Sequence, residues 1–134
     1  MEVVIETSVW VDYFRPKTPM AVRQQIHPWV IREDLALCEP ILCELLRAAH
    51  ATQRGLMQQH LRTIPVLPTP TTLWMVATQL GQQCQDAGVR VGALDLLIAA
   101  VCLHHDAELV AFDKQFAAMA KLCRLRLRLL VRAA

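Results

Sequence analysis

Four acidic side chains stand where the sequence is otherwise apolar. Glu6 directly follows the apolar run Val3–Ile5, and Asp113 follows the apolar segment ELVAF. Asp95 lies within GALDLLIAAVCL, and Glu44 lies within PILCELLRAA. A carboxylate among buried apolar side chains is costly unless it is paired or binds a metal. Because carboxylate oxygens are the ligands that Mg²⁺ and Mn²⁺ prefer, the four acids together indicate a divalent-metal site.

Each of these acids also has a purely structural alternative. Asp113 and Glu6 can each accept hydrogen bonds from the first backbone N–H groups of the helix that follows. Glu44 can pair with Arg47, one turn further along the same predicted helix. Asp95 can cap a helix or form a salt bridge. The joint occurrence of the four acids therefore favours the metal site more than any one of them does.

Hydrophobic periodicity predicts the elements that must position these acids. The predicted strands are Val3–Ile5, Leu35–Leu37, Ile64–Leu67, Glu108–Phe112 and Leu125–Leu129. The predicted helices are 8–15, Met20–Ile31, Ile41–Gly55, 70–87, Gly92–His104 and Gln115–Lys121. Strands that alternate with helices in this way predict a single α/β domain, residues 1–134, whose mainly parallel sheet is covered on both faces.

The predicted sheet explains how distant acids can meet. In an open parallel sheet the carboxyl ends of the strands share one edge, and ligands bind in the crevice outside that edge. Glu6 and Asp113 follow the carboxyl ends of two predicted strands, so both are expected there. Asp95 and Glu44 lie near the starts of predicted helices and can point to the same edge.

Composition and cysteine content limit the class of protein. Hydrophobic residues make up 54% of the chain and charged residues 19%, which predicts a compact domain with apolar surface left for a partner. No apolar run approaches the ~20 residues of a transmembrane helix, and no signal-peptide pattern is present, so a cytoplasmic protein without membrane contact is expected. Five scattered cysteines without a C-x-x-C pair predict reduced thiols rather than disulfides or a zinc site.

Three segments together resemble a known family. ETSVWVDYFR, ELLRA and DLLIAAVCLHHDAELVAFDKQF, in this order, resemble the PIN-domain ribonucleases, and most closely the VapC-type toxins of toxin–antitoxin pairs. The resemblance spans nearly the whole chain, and its most specific part is the segment from Asp95 to Phe116. It implies a three-layer α/β/α sandwich, a Mg²⁺- or Mn²⁺-dependent endoribonuclease site, RNA substrates such as transfer RNA, and a cognate antitoxin that covers the site.

The resemblance also implies roles for individual residues. The acidic cluster at the matched positions is Glu6, Glu44, Asp95 and Asp113. Of these, Glu6, Asp95 and Asp113 are expected to hold the metal, while Glu44 binds it or orients a water molecule. The hydroxyl of Thr7 or Ser8 is expected to arrange the first carboxylate.

One position departs from the family pattern. The first acid of these enzymes is ordinarily Asp, whereas this chain has Glu6. The extra methylene displaces the carboxylate, and Mg²⁺ demands near-octahedral geometry. The alternative function is therefore a catalytically weakened PIN-fold module that binds antitoxin or RNA. A receiver-type phosphoacceptor or a haloacid-dehalogenase-like phosphatase is disfavoured, because Glu does not easily replace the phospho-accepting Asp of their first strand.

Positive charge is concentrated at the end of the chain. Residues 1–113 contain 8 Lys and Arg against 12 Asp and Glu, whereas residues 114–134 contain 6 Lys and Arg and no acid. Candidate contacts to RNA phosphates or to an acidic antitoxin segment are Arg90, Lys114, Arg124, Arg126 and Arg128, with Arg132 beyond them. The alternative is a solvated edge strand that uses charge to block aggregation.

Apolar surface provides a further prediction. Aromatic side chains outside the predicted core are expected to serve a homodimer or an antitoxin groove, although tryptophans at such spacings also occur in cores. The candidates are Trp10, Phe14, Trp29 and Trp74.

Overall fold

The computed structural model describes residues 1–132, which form four strands and seven helices. The strands are β1 (Val3–Ile5), β2 (Leu35–Ala36), β3 (Glu108–Ala111) and β4 (Arg126–Leu129). The helices are α1 (Thr7–Phe14), α2 (Met20–Val30), α3 (Glu39–Ala48), α4 (Ala51–Leu61), α5 (Leu73–Asp86), α6 (Ala93–His105) and α7 (Lys114–Ala120). The predicted α/β class is confirmed.

The strands form one parallel sheet in the order β2-β1-β3-β4. Ile5 of β1 pairs with Val110 of β3, and Val110 pairs with Arg128 of β4. All carboxyl ends therefore lie at one edge of the sheet, which we call the carboxyl edge. The segment after β1 and the segment after β3 leave the sheet side by side at this edge.

Helices cover both faces of the sheet. Successive strand residues point to opposite faces, yet Val4, Ile5, Leu109 and Val110 are all fully buried. Helix α2 packs on β1, α6 packs on β3, and α7 packs on β4. Burial on both faces explains why β1 and β3 are continuous apolar runs rather than alternating ones, and it produces the three layers that were predicted.

The predicted helix Ile41–Gly55 is wrong in one respect, because two helices occupy this segment. Helix α3 ends at Ala48, and the next residue, Ala49, adopts an extended backbone with ψ 137°. Helix α4 then begins at Ala51. Gly55 lies inside α4 rather than ending a helix, since the chain turns where α3 and α4 pack against each other and not at a glycine.

The predicted strand Ile64–Leu67 is reduced to a single parallel bridge between Leu37 and Val66. The backbone N–H of Leu37 donates to the carbonyl of Pro65 at 2.8 Å, and the N–H of Leu67 donates to the carbonyl of Leu37 at 2.7 Å. Pro65 has no N–H to offer a ladder, so pairing does not extend further. The other predicted elements agree closely with the structure.

Two further predictions concern cysteines and membranes. All five cysteines are free thiols, as predicted, and Cys38, Cys84 and Cys102 are buried. In residues 1–132, no helix combines the length and the apolar character that crossing a membrane requires.

Candidate active site

Glu6 is held at the carboxyl edge by both its backbone and its side chain. Its backbone N–H donates to the carbonyl of Val110 on β3 at 2.9 Å, which ties the end of β1 to its neighbour. Glu6 is the N-cap of α1, and its Oε2 accepts from the backbone N–H of Ser8 at 3.0 Å and from the Ser8 hydroxyl. Glu6 therefore fills the capping role that was the structural alternative. Its other oxygen, Oε1, has no hydrogen-bond partner in the described part of the chain.

Glu44 is positioned by Thr7 rather than by a basic residue. The Thr7 hydroxyl donates to Oε1 of Glu44 at 2.7 Å and so links the first residue of α1 to α3. The alternative pairing of Glu44 with Arg47 is absent from the salt bridges of residues 1–132. Of the two hydroxyls expected to arrange the first carboxylate, Ser8 contacts Glu6, whereas Thr7 contacts Glu44.

Asp95 lies in the first turn of α6, whose N-cap is Gly92. The side chain is half-buried, and it forms no hydrogen bond or salt bridge with any residue the structure describes. Burial raises the pKa of the Asp95 carboxyl, and the negative charges of Glu44 and Asp113 raise it further. Asp95 is thus close enough to both acids for their charges to act on it.

Asp113 directly follows β3 and caps α7. Its Oδ1 accepts from the backbone N–H of Gln115 at 2.8 Å, so the structural alternative for this residue is also confirmed. The side chain is exposed, as is that of its neighbour Lys114. Capping uses only one of the two carboxylate oxygens, and the other accepts no hydrogen bond from a side chain or backbone group of residues 1–132.

The four acids form one uncompensated negative cluster. Burial raises the pKa of Glu6 despite the opposing hydrogen bonds from Ser8, and the charges of Asp95 and Glu44 add to this rise. The salt bridges of residues 1–132 are Arg32–Asp34, Arg126–Asp106 and Arg132–Asp12, and none of them includes an acid of the cluster. A cluster of carboxylates without a basic partner has the charge and the ligand chemistry that a divalent cation requires.

Two properties show how well the cluster is arranged for a metal ion: which carboxylate oxygens are free of hydrogen bonds, and whether these oxygens surround one point. Glu6, Glu44 and Asp113 each have one oxygen held by the protein and one without a protein hydrogen bond in residues 1–132. Over the same residues, no three His, Cys, Asp or Glu side chains already surround one point as a complete ligand set. The oxygen donors are of the type that Mg²⁺ and Mn²⁺ prefer, but in this structure they are not arranged around one point.

Arg126 and Arg128 of β4 both contact other side chains of this chain. In the register of the sheet, Arg126 of β4 lies opposite Glu108, the first residue of β3. The guanidinium of Arg126 forms a salt bridge with Asp106 through two hydrogen bonds of 2.9 and 3.0 Å. Arg126 therefore lies at the edge opposite the carboxylates. The guanidinium of Arg128 lies over the ring of Trp29, 5.5 Å from its centre.

Three other candidates lie at different places in the fold. Arg132 follows β4 at the carboxyl edge, where it forms a salt bridge with Asp12 at 2.9 Å and lies over the ring of Phe112. Arg124 precedes β4 and Arg90 precedes α6, and both side chains are exposed.

Sequence reasoning missed a group of residues beside the cluster. A cavity of about 790 Å³ opens next to Ser8, and it is lined by Asp12, Arg15, Lys17 and Arg132 among others. The segment FRPK at the end of α1 is the signal that was overlooked, because its two cations follow the helix that Glu6 begins.

Comparison with known proteins identifies the class to which this fold and site belong. The PIN domain family model matches residues 3–122, and the chain therefore belongs to the PIN domain family. The chain is similar to ribonuclease VapC11 of Mycobacterium tuberculosis and to VapC ribonuclease Mb1587 of Mycobacterium bovis. Each is 30% identical over 134 residues, covering 92% of this chain and 96% of the relative. The resemblance predicted from the three segments is confirmed.

Solved structures agree on the fold. The VapBC complex of Salmonella typhimurium bound to DNA contains a chain similar to this one, with a TM-score of 0.74 and 17% identity over 96% of this chain and 97% of that one. VapBC2 of Rickettsia felis, bound to a DNA fragment of its promoter, gives a TM-score of 0.73 and 18% identity over 97% and 99% of the two chains.

Proposed function

We propose that the protein is a metal-dependent endoribonuclease toxin that hydrolyses phosphodiester bonds of RNA, with transfer RNA as a substrate. The observation that carries this proposal is the cluster of four carboxylates at the carboxyl edge, which has no basic partner in residues 1–132. Similarity to proteins named VapC ribonucleases supports the choice of RNA as the substrate.

The chain's own residues divide the work of this site. Glu6, Asp95 and Asp113 would hold Mg²⁺ or Mn²⁺, which when bound would stabilise the negative charge that develops on the phosphate. Thr7 fixes Oε1 of Glu44, so Oε2 of Glu44 is left to orient the attacking water and accept its proton. Water adds to phosphorus as the P–O bond to the leaving oxygen breaks, Glu44 passes the proton of the attacking water to solvent, and the leaving oxygen takes a proton from solvent. Ser8 keeps Glu6 in place during these steps.

Cleavage of a labelled, structured RNA by the purified protein tests this function. We expect cleavage with Mg²⁺ or Mn²⁺, none with EDTA, and loss of cleavage in Asp95→Asn. Asp86→Asn is the matched control, because Asp86 is an exposed acid at the end of α5. Full cleavage by Asp95→Asn, or cleavage that persists in EDTA, would contradict the proposal.

The alternative function, a weakened PIN-fold module that binds RNA or antitoxin, rests on Glu6. One oxygen of this carboxylate is engaged by Ser8, and burial raises its pKa, so protons compete with a cation for it. If the parent protein is inactive and Glu6→Asp cleaves RNA in a metal-dependent way, the module is the better description. If the parent cleaves and Glu6→Asp does not exceed it, the longer side chain is tolerated.

The proposed partners are a cognate antitoxin and a second copy of this chain. Proteins of similar fold occur in structures described as VapBC complexes, which supports the antitoxin. On α5, Trp74 is 71% exposed and Met75 is 56% exposed, and these side chains supply apolar surface for a homodimer. Trp10, in contrast, is completely buried and packs on Phe14, so the prediction that it serves an interface is wrong.

A further inference from the structure

A second cavity lies at the end of α1 opposite Glu6, and we propose that it binds an unpaired nucleobase of the RNA near the cleaved phosphodiester. Arg15 and Lys17, at its rim, hold the phosphate of that nucleotide. The inference rests on the proposed ribonuclease function and assigns a substrate subsite to it. It makes Phe14 the residue on which the base stacks and Gln53 a residue that selects which base is bound.

The cavity has the size and lining of a small-molecule site. It measures about 370 Å³, near the lower end of the ~300–1,000 Å³ typical of ligand pockets. It lies between α1, α3 and α4, and its apolar and polar lining residues include Val11, Phe14, Leu45, Met57, His50 and Gln53. An apolar slot with a few polar groups suits a flat heteroaromatic ring, whose faces are apolar and whose edge forms hydrogen bonds.

Phe14 supplies an aromatic surface that is held in place. Its ring stacks on Trp10 with centres 5.7 Å apart and an interplanar angle of 16°. The ring of His60 packs edge-on against it, with centres 5.4 Å apart. Because Trp10 is completely buried, Phe14 is supported from the core side. A rigid aromatic side chain in a cavity is the feature on which unpaired bases stack.

Positive charge connects this cavity to the carboxylate cluster. Val11, Arg15 and Lys17 line both this cavity and the 790 Å³ cavity that reaches Ser8. Helix geometry places Ser8 and Arg15 about 10 Å apart along α1, within reach of neighbouring nucleotides of one strand. A strand whose scissile phosphate lies near Glu6 can therefore extend past Arg15 and Lys17 into the second cavity.

Charge favours RNA over a protein segment as the occupant. No acidic residue lines the second cavity, whereas Arg15 and Lys17 are exposed and form no salt bridge within residues 1–132. Two free cations beside an aromatic slot match the alternation of phosphate and base in an unpaired strand. The amide of Gln53 and the imidazole of His50 add groups that can contact a base edge.

Binding of short RNA to the inactive variant Asp95→Asn tests the inference without cleavage. Fluorescence anisotropy is measured with single-stranded oligoribonucleotides in which each base in turn is removed to leave an abasic site. We expect one abasic position to weaken binding about tenfold. Adding Phe14→Leu or Gln53→Ala to Asp95→Asn is expected to reduce this penalty several-fold, whereas Gln82→Ala, an exposed glutamine on α5, leaves it unchanged.

The phosphate contact has a separate readout. We expect Lys17→Ala to weaken binding of all the oligoribonucleotides alike and to reduce the slope of log K against log salt by about 0.7. Lys121→Ala, at the far end of α7, is the matched control and is expected to bind like the parent variant. Melting temperatures of all variants verify that Phe14→Leu is folded, and Gln53 is exposed, so its replacement does not disturb the core.

The outcomes separate this inference from the proposed function. If the abasic penalty is the same in Phe14→Leu and Gln53→Ala as in Asp95→Asn alone, the cavity is not a base subsite, and a protein segment remains as its occupant. If this happens while the parent cleaves RNA with metal, only the inference fails. If the penalty depends on Phe14 and Gln53 but the parent never cleaves, the inference stands and the nuclease function fails.

Discussion

The Thr7 hydroxyl, at the first residue of α1, donates a hydrogen bond of 2.7 Å to Oε1 of Glu44 on α3. Thr7 is largely buried, and Glu44 is half-buried. This bond joins the helix that Glu6 caps to the helix that carries the second acid of the cluster. The position of Glu44 relative to Glu6 thus depends on a neutral hydroxyl. This bond holds Glu44 in place without neutralising its negative charge.

Thr7→Val tests this dependence. The substitution conserves the size of the side chain and removes its donor, so Glu44 loses the contact that orients it. We expect RNA cleavage to fall about tenfold or more, since a hydrogen bond to a charged group contributes about 1.5–3 kcal/mol. Thr7→Ser retains a hydroxyl and is expected to retain most of the activity. Equal activity of Thr7→Val and the parent would show that Glu44 is positioned by something else.

Stability should depend on pH through Asp95 and Glu6. Burial raises the pKa values of both carboxyls above their ordinary values of 3.8 and 4.5, with neighbouring acids adding to the rise. Between the ordinary and the raised values the folded protein binds more protons than the unfolded chain. The free energy of unfolding of the metal-free protein is therefore expected to fall as pH rises through this window, and to stay lower above it.

Urea unfolding in EDTA over a pH series measures this effect. Asp95→Asn removes one of the two raised groups, so its stability is expected to fall less than that of the parent over the same window. Mg²⁺ or Mn²⁺ at neutral pH is expected to raise the stability of the parent more than that of Asp95→Asn, because a cation that binds only the folded state stabilises it. If the free energies of unfolding of the parent and of Asp95→Asn changed with pH by the same amount, the raised pKa of Asp95 would be contradicted.

Asp113 combines two roles that a pair of substitutions can separate. Asn is as good an N-cap as Asp, so Asp113→Asn is expected to keep the stability of the parent while losing RNA cleavage. Asp113→Ala removes both the cap of α7 and the charge, and it is expected to lose cleavage and about 1 kcal/mol of stability. Thermal unfolding and RNA cleavage of the two variants are the measurements. Cleavage by Asp113→Asn at the parent rate would limit Asp113 to its capping role.

Arg126 provides a negative prediction. Its salt bridge with Asp106 lies at the amino edge of the sheet, and the side chains are 50% and 70% exposed. Surface pairs of this kind contribute about 0–1 kcal/mol, so Arg126→Ala is expected to be nearly as stable as the parent and to cleave RNA at the same rate. Arg132→Ala, at the carboxyl edge, is the contrasting variant and is expected to cleave more slowly. A large loss of cleavage in Arg126→Ala would mean that RNA reaches the amino edge.

The parallel sheet was predictable because its central strands carry a strong local signal. Val3–Ile5 and the segment from Glu108 are short apolar runs that end in an acid, and both belong to the buried strands β1 and β3. The turn between α3 and α4 carries no such signal. Ala49 and His50 are not residues that interrupt a helix by their own preference, and Gly55, which is, lies within α4. Packing between helices decides this boundary, and a local pattern does not contain that information.

The candidate site also combines features that the local sequence predicts with features that depend on packing. Residue type and position after a strand were enough to select Glu6 and Asp113, and their capping bonds were foreseen as alternatives. The contact between Thr7 and Glu44 spans 37 positions and depends on how α1 packs on α3, so no local pattern could predict it. Likewise, the alternation of arginines in β4 predicted that they share one face of the strand, but the position of Arg126 at the amino edge depends on the register with β3, which no local pattern contains.

The direction of the strands has a practical consequence for anyone who purifies the protein. Met1 precedes β1 and therefore lies at the amino edge, away from the carboxylates, whereas the chain returns to the carboxyl edge at Arg132, beside Asp12 and the cavity next to Ser8. An affinity tag fused before Met1 leaves the entrance to the site open. A bulky group attached at Arg132 would crowd that entrance, so assays on a protein altered at this position would understate its cleavage of RNA and its affinity for RNA.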